Sequence, residues 1–368
     1  MSQDIYYQLR KRIDEYALGF PATQSGVEIK ILQHLFSEAE ADLYLHLSRS
    51  LEPMTVIAKR AGRSEAETAA MLEAMTAKGV TFPKILGEKK FYAAAPFMHG
   101  FFENNAWMQE DRVLAELMEA YLTKGFVPKG KALRTIPVQA SVKEAKSVMP
   151  FDDVVKILQS KERIGVMPCP CNKHMQALDR ACGRPTEVCI GFDFYAEYCI
   201  EGLGVGRWID RQEAMAILKR ADAAGLVHQI GGNSENTECL CNCCPDCCGS
   251  LRLIKQMPAP SKVAGSNFFA QLSREDCTSC ETCIERCPMG ALAMTDEGLS
   301  LNSLRCIGCG LCGTGCPAGA IALVQKDAAK PNTLPPPEKA IFMKPSLDFE
   351  ADIRQWIDHS CLLQAISK

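Results

Sequence analysis

Residues 277–288 read CTSCETCIERCP and residues 306–317 read CIGCGLCGTGCP. Both are C-x2-C-x2-C-x3-C-P: Cys277, Cys280, Cys283 and Cys287 before Pro288, then Cys306, Cys309, Cys312 and Cys316 before Pro317. A cubane iron–sulfur cluster needs four thiolates converging on one small volume. Two residues between ligands let one tight loop present three of them. The fourth arrives from a distant segment, and the proline after it keeps that cysteine out of a regular helix. Two unrelated zinc knuckles do not explain a duplicated x3-C-P ending, because zinc sites usually show two separated C-x2-C pairs.

Over about residues 265–325 the pattern resembles the bacterial two-cluster ferredoxin family. The resemblance implies two [4Fe-4S] clusters and one-electron transfer. It also implies crossed ligation, because in that family the fourth cysteine of each run serves the other cluster. Cys277, Cys280 and Cys283 then share a cluster with Cys316, and Cys306, Cys309 and Cys312 share one with Cys287.

A chain of 368 residues is too long for one compact core, so two or three domains are expected. The net charge of −3 and pI of about 6.1 give no electrostatic case for nucleic acid or an anionic membrane as obligatory partner. The start, MSQDIYYQLRKRIDEY, has no apolar core of a signal peptide, and no stretch approaches a membrane span. Of twenty cysteines none precedes Cys169, eight sit in the two C-terminal runs, eleven lie between 169 and 248, and one is Cys361. Thiols so crowded, without a secretory signal, read as metal ligands in a reducing compartment rather than a disulfide scaffold. A cytoplasmic protein of an oxygen-poor setting is expected.

The fold class expected is α+β and multidomain. Residues 1–125 form a winged-helix-like α domain, 126–250 a cysteine-rich cluster-binding domain and 265–325 a ferredoxin-like dicluster domain; 326–368 are a Pro-rich linker and terminal helix. VEIKILQHLF and EAEADLYLHLSRS fit amphipathic helices. A short helix, MTVIAKRAG, ends at Gly62. Ser64 with Glu67 makes a capping box for a helix to Ala77, and VTFPKILGEKKFYAAAPF gives two extended pieces turning at Gly87. A longer helix is expected from about Asn104 to Leu122, and another from Asp210 to Ala224 with Asp210 and Glu213 as capping box and Gly225 as stop. FDDVVKILQS is the one helix of a connector, and LRLIKQMPAPSKVA reads as a linker. KPNTLPPPEK is extended, and Asp348–Ala365 is a possible helix carrying Ile353, Trp356, Ile357 and Leu362.

The middle cysteines come in two sets. CPCNKHMQALDRACGRPTEVC supplies Cys169, Cys171, Cys182 and Cys189, interrupted by prolines and a glycine, and reads as a loop-built ligand set. ECLCNCCPDCCG supplies Cys239, Cys241, Cys243, Cys244, Cys247 and Cys248, whose vicinal thiolates repel unless a cation holds them. The spacing matches no familiar zinc motif. One further [4Fe-4S] cluster is assigned to the first set and another to Cys241, Cys244, Cys247 and Cys248, with Cys239 or Cys243 able to replace one of these. One cluster shared by both sets, a zinc in one of them, or a larger cluster using more than four thiols remain open. Cys199 and Cys361 read as structural thiols, and His174 and His228 as structural histidines, with cluster tuning by His174 the alternative.

Other signals are weaker. The helix SEAETAAMLEAMTAKG puts Glu65, Glu67 and Glu73 where a DNA reader carries cationic or amide groups, and the wing has only Lys84, Lys89 and Lys90. GLGVG lacks the context of a dinucleotide fingerprint and reads as a turn. The stretches TIPVQASV, the CPC pair, RQEAMAILKRADAAGLVHQ, CNCC and SNFFAQL resemble a group of iron–sulfur proteins of anaerobes with a winged-helix-like N-terminus and a C-terminal dicluster ferredoxin. That resemblance implies electron transfer in anaerobic metabolism. With no nucleotide, flavin or substrate motif in the chain, a relay to or from a partner oxidoreductase, for instance a flavoprotein, is expected. A catalytic cluster in the cysteine-rich middle and a redox-responsive regulator are the alternatives.

Overall fold

Short polar side chains, Ser37, Ser64 and Asp111, set three of the helix starts of the N-terminal third. The computed structural model describes residues 2–16, 18–86, 89–108, 110–126, 133–142, 152–233, 236–326 and 333. The expected helix at 348–365, Cys361 and nearly all of the Pro-rich stretch lie outside them. Helices α1 (Ser2–Asp14), α2 (Val27–Leu35) and α3 (Glu38–Leu45) come first. Ser37 opens α3 with a full capping box: its Oγ accepts from Glu40 N–H at 3.3 Å, and the Glu40 carboxylate accepts from Ser37 N–H at 2.8 Å. Strand β1 (Glu52–Pro53), helices α4 (Met54–Ala61) and α5 (Glu65–Ala77), and strands β2 (Thr81–Leu86) and β3 (Lys89–Ala94) follow, in an antiparallel sheet of order β1-β3-β2. At α5 only half of the expected box forms: Ser64 Oγ accepts from Glu67 N–H, while the Glu67 carboxylate pairs with Arg63.

The single helix expected over 104–122 is two, α6 (Phe102–Met108) and α7 (Arg112–Lys124). Asp111 causes the restart, its carboxylate accepting from Leu114 N–H at 2.9 Å as an N-cap. Ahead of α6, the segment Phe97–Phe101 is kinked, with His99 at φ 53°.

The middle is a six-stranded antiparallel sheet rather than a set of loops. Its elements are β4 (Arg134–Thr135), α8 (Val154–Gln159), β5 (Ile164–Pro168), α9 (Pro170–Ala177), β6 (Glu187–Phe192), α10 (Asp193–Glu197), β7 (Arg207–Ile209), α11 (Arg211–Ala223), β8 (Val227–Gly232) and β9 (Thr237–Cys243), with strand order β4-β8-β9-β6-β5-β7. Side chains alternate across a strand, so Cys239, Cys241 and Cys243 share one face of β9 while Leu240 and Asn242 take the other. Asp210 caps α11, and Gly225 at φ 73° ends it. The expected linker at 251–264 begins as helix α12 (Gly249–Lys255), because Leu251 and Ile254 bury an apolar edge.

The C-terminal region is built twice. Strand β10 (Phe268–Leu272), helix α13 (Thr282–Glu285), strands β11 (Leu292–Thr295) and β12 (Gly298–Leu301), helix α14 (Leu311–Thr314) and strand β13 (Ile321–Gln325) form two antiparallel pairs, β10 with β13 and β11 with β12. The halves match residue for residue where the backbone turns left-handed: Ser279 (φ 57°) with Gly308 (67°), Glu281 (60°) with Gly310 (86°), Gly290 (59°) with Gly319 (64°).

Arginines fasten this unit to the middle sheet. Arg286 donates to Asp222 O at 2.9 Å at the end of α11, and Arg305 to Lys255 O at 3.0 Å at the end of α12, both where helix carbonyls carry partial negative charge. Buried Arg134 pairs with Asp152, which also accepts from Asn267 at 2.8 Å. Among the described residues no helix is long and apolar enough to cross a membrane.

Candidate metal centres

The paired C-terminal loops bring eight thiols into two quartets. The charges bearing on the Cys283 thiol are those of Cys316, Cys277 and Cys280; those on Cys309 are Cys312, Cys287 and Cys306. Burial pushes both thiols up, and Cys312 up to about 12. Thiols so desolvated stay protonated unless a cation takes the proton's place. Backbone N–H groups already point at sulfur in matching positions of the two halves: Ala291 to Cys287 at 3.1 Å and Ala320 to Cys316 at 3.3 Å, with Ala270 to Cys306 at 3.4 Å. Such donors stabilise metal-bound thiolate and tune its potential, so this donor set fits two [4Fe-4S] clusters. Cys280 is exposed, whereas Cys306, Cys309 and Cys312 are buried.

The middle cysteines sort differently in space than along the chain. Strands β6 and β9 are paired, with Gly191 opposite Cys239, so the two cysteine-rich stretches interleave. Cys241 is a branch point that interacts with the thiols of Cys189, Cys239 and Cys243. Cys243 continues to Cys248, Cys248 to Cys171, and Cys171 to Cys169. Neighbouring thiols pull Cys241 and Cys171 well below the ordinary thiol range. The result is a connected row of seven thiols drawn from β6, β9 and the starts of α9 and α12. Cys182 is not in it. It stands instead with Cys244 and Cys247, all three sulfurs lying within 4.8 Å of one another.

The N-terminal region closes the row. His99 and Glu103 are buried, and the charges of Cys241 and Cys171 bear on His99 and that of Cys171 on Glu103. Burial, then the Cys171 charge, raises the Glu103 carboxyl to about 8, although it accepts from Gly100 N–H at 3.0 Å. Gly231 on β8 is a place where only glycine fits: a Cβ there would lie 2.9 Å from Cys239 Sγ and 3.3 Å from His99 Cε1. Sequence reasoning missed His99, Glu103 and Gly231, which carry no motif and reach the row only through tertiary folding.

The remaining candidates take no place in the row, although Cys199 packs in one buried apolar cluster with Cys189 and Cys239. His174 Nε2 lies 3.4 Å from Glu119 and its ring 5.2 Å from that of Phe102. His228 Nδ1 pairs with Asn242 Oδ1 at 2.5 Å, Cys199 is fully buried beside Tyr195, and Gly204 and Gly206 of GLGVG turn the chain into β7. On the paired strands β2 and β3, Lys90 pairs with Glu73 at 2.6 Å, and Lys84 sits 4.8 Å over the Phe194 ring.

A family model described as a 4Fe-4S dicluster domain matches residues 270–330. Comparison with curated proteins and with solved structures finds no match. The C-terminal region is therefore an iron–sulfur unit carrying two [4Fe-4S] clusters, followed along the chain by residues outside the match and preceded by the cysteine-rich sheet.

Proposed function

We propose that this iron–sulfur protein is an electron relay in anaerobic metabolism. Cys277, Cys280, Cys283 and Cys316 would hold one [4Fe-4S] cluster, Cys306, Cys309, Cys312 and Cys287 a second, and the seven-thiol row at least one further iron–sulfur centre; held in this order they would supply one-electron transfer between an outside partner and the middle region. The clusters supply the one-electron chemistry. The chain's own residues hold sulfur in place, exclude water and join one centre to the next.

One observation carries this reading. Cys309, Cys243 and Cys248 belong to a single buried apolar cluster with Ile307, Leu311 and Leu251, so the inner ferredoxin quartet and the thiol row share one dry wall. Val138 N–H donates to Cys309 O at 2.9 Å and pins that wall. At the opposite end the exposed Cys280 gives the outer quartet an open face, where a partner oxidoreductase of the flavoprotein class would dock.

The succession β1, α4, α5, β2, β3 is read as a winged helix that serves here as a wall of the relay. Phe82 of the wing meets Tyr198 edge-on at 4.6 Å, and Lys84 approaches Glu197 at 3.9 Å, so the wing is spent on the chain's own middle region. Fold alone does not make it a DNA reader.

A second reading rests on the number of thiols: seven exceed the four of one cubane, which favours a larger or site-differentiated cluster that does chemistry on the row. Freeze-quench EPR after mixing with a reduced ferredoxin separates the two. For a relay, the ferredoxin signals rise first, the middle signal follows, and Cys309→Ser slows the second phase. A middle centre that is reduced first, or steady NAD(P)H oxidation by the isolated flavin-free chain, overturns the relay.

A further inference from the structure

Among the described residues the trio of Cys182, Cys244 and Cys247 differs from every other thiol group by its tightness. Cys182 Sγ and Cys244 Sγ are 3.5 Å apart, and among the described residues this is the one set of His, Cys, Asp or Glu side chains whose three ligand atoms all fall within 4.8 Å. The ferredoxin quartets supply an internal standard. They belong to a region that matches a cubane-binding family, and their sulfurs are spread more widely, as they must be when four irons and four sulfides lie between them. Tetrahedral coordination of one ion at a metal–sulfur distance of about 2.3 Å places its sulfurs roughly 3.8 Å apart. The trio has the dimensions of a mononuclear site and is too close for a cubane.

The surroundings agree. Cys244 and Cys247 are spaced C-x2-C, the pair spacing of structural zinc sites, which a run of six cysteines conceals in the sequence. Cys247 N–H donates to Cys244 Sγ at 3.2 Å and Cys182 N–H to Cys247 Sγ at 3.3 Å, leaving two of the three sulfurs fixed by backbone donors. Arg184 and Asp246 pair beside the site.

The fourth corner belongs to Asn172. Its side chain is buried; Nδ2 lies 3.4 Å from Cys182 Sγ and 3.7 Å from Cys247 Sγ and donates to Cys182 O at 3.3 Å, while Oδ1 is buried with no hydrogen-bond partner. The two ends of an Asn amide exchange by a half-turn. Turned, Oδ1 replaces Nδ2 at 3.4 and 3.7 Å from the two sulfurs. A tetrahedron with a metal–sulfur bond of about 2.3 Å and a metal–oxygen bond of about 2.1 Å requires roughly 3.6 Å there. A cation between them turns a repulsive contact into a ligand set and gives the orphaned oxygen its partner, and this metal bond has to outweigh the Nδ2 bond to Cys182 O that the turn gives up.

We propose that Cys182, Cys244, Cys247 and the Asn172 carbonyl bind one tetrahedral, thiolate-seeking ion of the zinc class, separate from the iron–sulfur centres. It ties the loop after α9 to the turn after β9 and carries no electrons. The whole chain, purified anaerobically, is analysed for zinc, iron and sulfide, and the Cys244→Ser/Cys247→Ser variant beside it. The expected result is about one zinc per chain that disappears in the variant while iron and the ferredoxin EPR signals stay. Zinc absent from the wild type, with or without a loss of iron in the variant, overturns the proposal; a loss of about four irons would reveal a cubane there. Should the variant fail to fold, the wild type grown with Co2+ in place of zinc decides. Intense thiolate-to-cobalt bands with tetrahedral d–d transitions, shifted by Asn172→Ala, support the assignment. Octahedral or absent cobalt bands overturn it, and d–d bands unmoved by Asn172→Ala remove Asn172 from the fourth corner. Iron counts and EPR order, which test the relay, are read independently of zinc.

Discussion

Gly308→Ala tests how the inner ferredoxin cluster is held. Gly308 lies at φ +67°, and a Cβ there would stand 2.1 Å from Phe268 O and 2.6 Å from Ser266 Oγ. The first half of the repeat isolates the steric part, because Ser279 holds the matching position at φ 57° with a side chain in place. The left-handed backbone is therefore affordable, and contact with the carbonyl of β10 is the larger cost. A left-handed non-glycine residue costs about 1 kcal/mol and overpacking about 1–3, so closing the Cys306–Cys312 loop becomes about 2–4 kcal/mol harder. That is roughly a 30- to 1000-fold shift against the cluster-binding conformation. Gly319→Ala, at φ +64° with nothing within 4 Å, suffers only the backbone part and is the control. Anaerobic iron analysis with EPR reads the outcome: Gly308→Ala loses about four irons per chain and the inner-cluster signal, and Gly319→Ala loses neither. Full iron with an unchanged signal in Gly308→Ala would show that the loop is not clamped against β10.

Iron in the wild type should exceed about 8 per chain, the content of two cubanes; a count of 8 would leave the seven-thiol row without iron. Glu119 accepts from Arg252 at 3.0 Å and faces His174 at 3.4 Å. Burial alone would raise its pKa, but those partners outweigh burial and hold it at about 2 against an ordinary 4.5. A carboxylate depressed in the folded state contributes stability above its unfolded pKa and loses it as pH falls through the folded one, so this contribution fades from about pH 4.5 to 2; allowing for solvent screening it is worth about 2 kcal/mol. Urea unfolding should show Glu119→Gln weaker by that amount near pH 7, with the gap closing in acid; a gap independent of pH would contradict the ion-pair account. The β2–β3 strand pair and α5 should bind duplex DNA no better than a generic acidic protein at moderate salt, in a fluorescence-anisotropy titration. A sequence-selective footprint would promote the regulator reading.

What was legible in the sequence depends on how local the cause is. Three ligands of each ferredoxin run sit in one loop with two residues between them, and helix starts at Ser64 and Asp210 are set by a side chain bonding three residues ahead, so spacing alone reveals them. The restart at Asp111 was missed because the apolar period runs on through one acidic cap. The middle sheet was missed for a different reason. C-x-C-x-C at 239–243 is a period-two strand signal, but it is written in residues that also read as ligands, and nearby prolines suggest loops. Which thiols then meet is fixed by the register of β6 on β9, a long-range pairing that no spacing encodes. Cys182 joining Cys244, 62 residues away, is its result.

The interleaving of β6 with β9, under a lid that carries His99 and Glu103, governs how the protein is manufactured. Three thiols of each ferredoxin quartet come from one short loop, so those sites exist as soon as the C-terminal unit collapses, and the exposed Cys280 leaves one of them open to a donor of iron and sulfide. The seven-thiol row has no such local precursor. It comes into being when segments from residue 99 to residue 248 have met, and by then four of its seven thiols, Cys189, Cys239, Cys243 and Cys248, are buried. A metal centre proposed on that row would therefore be loaded as the chain folds rather than afterwards. Protein made without enough iron is expected to accept the C-terminal clusters on later reconstitution and to refuse the buried one until it is unfolded and refolded with metal present.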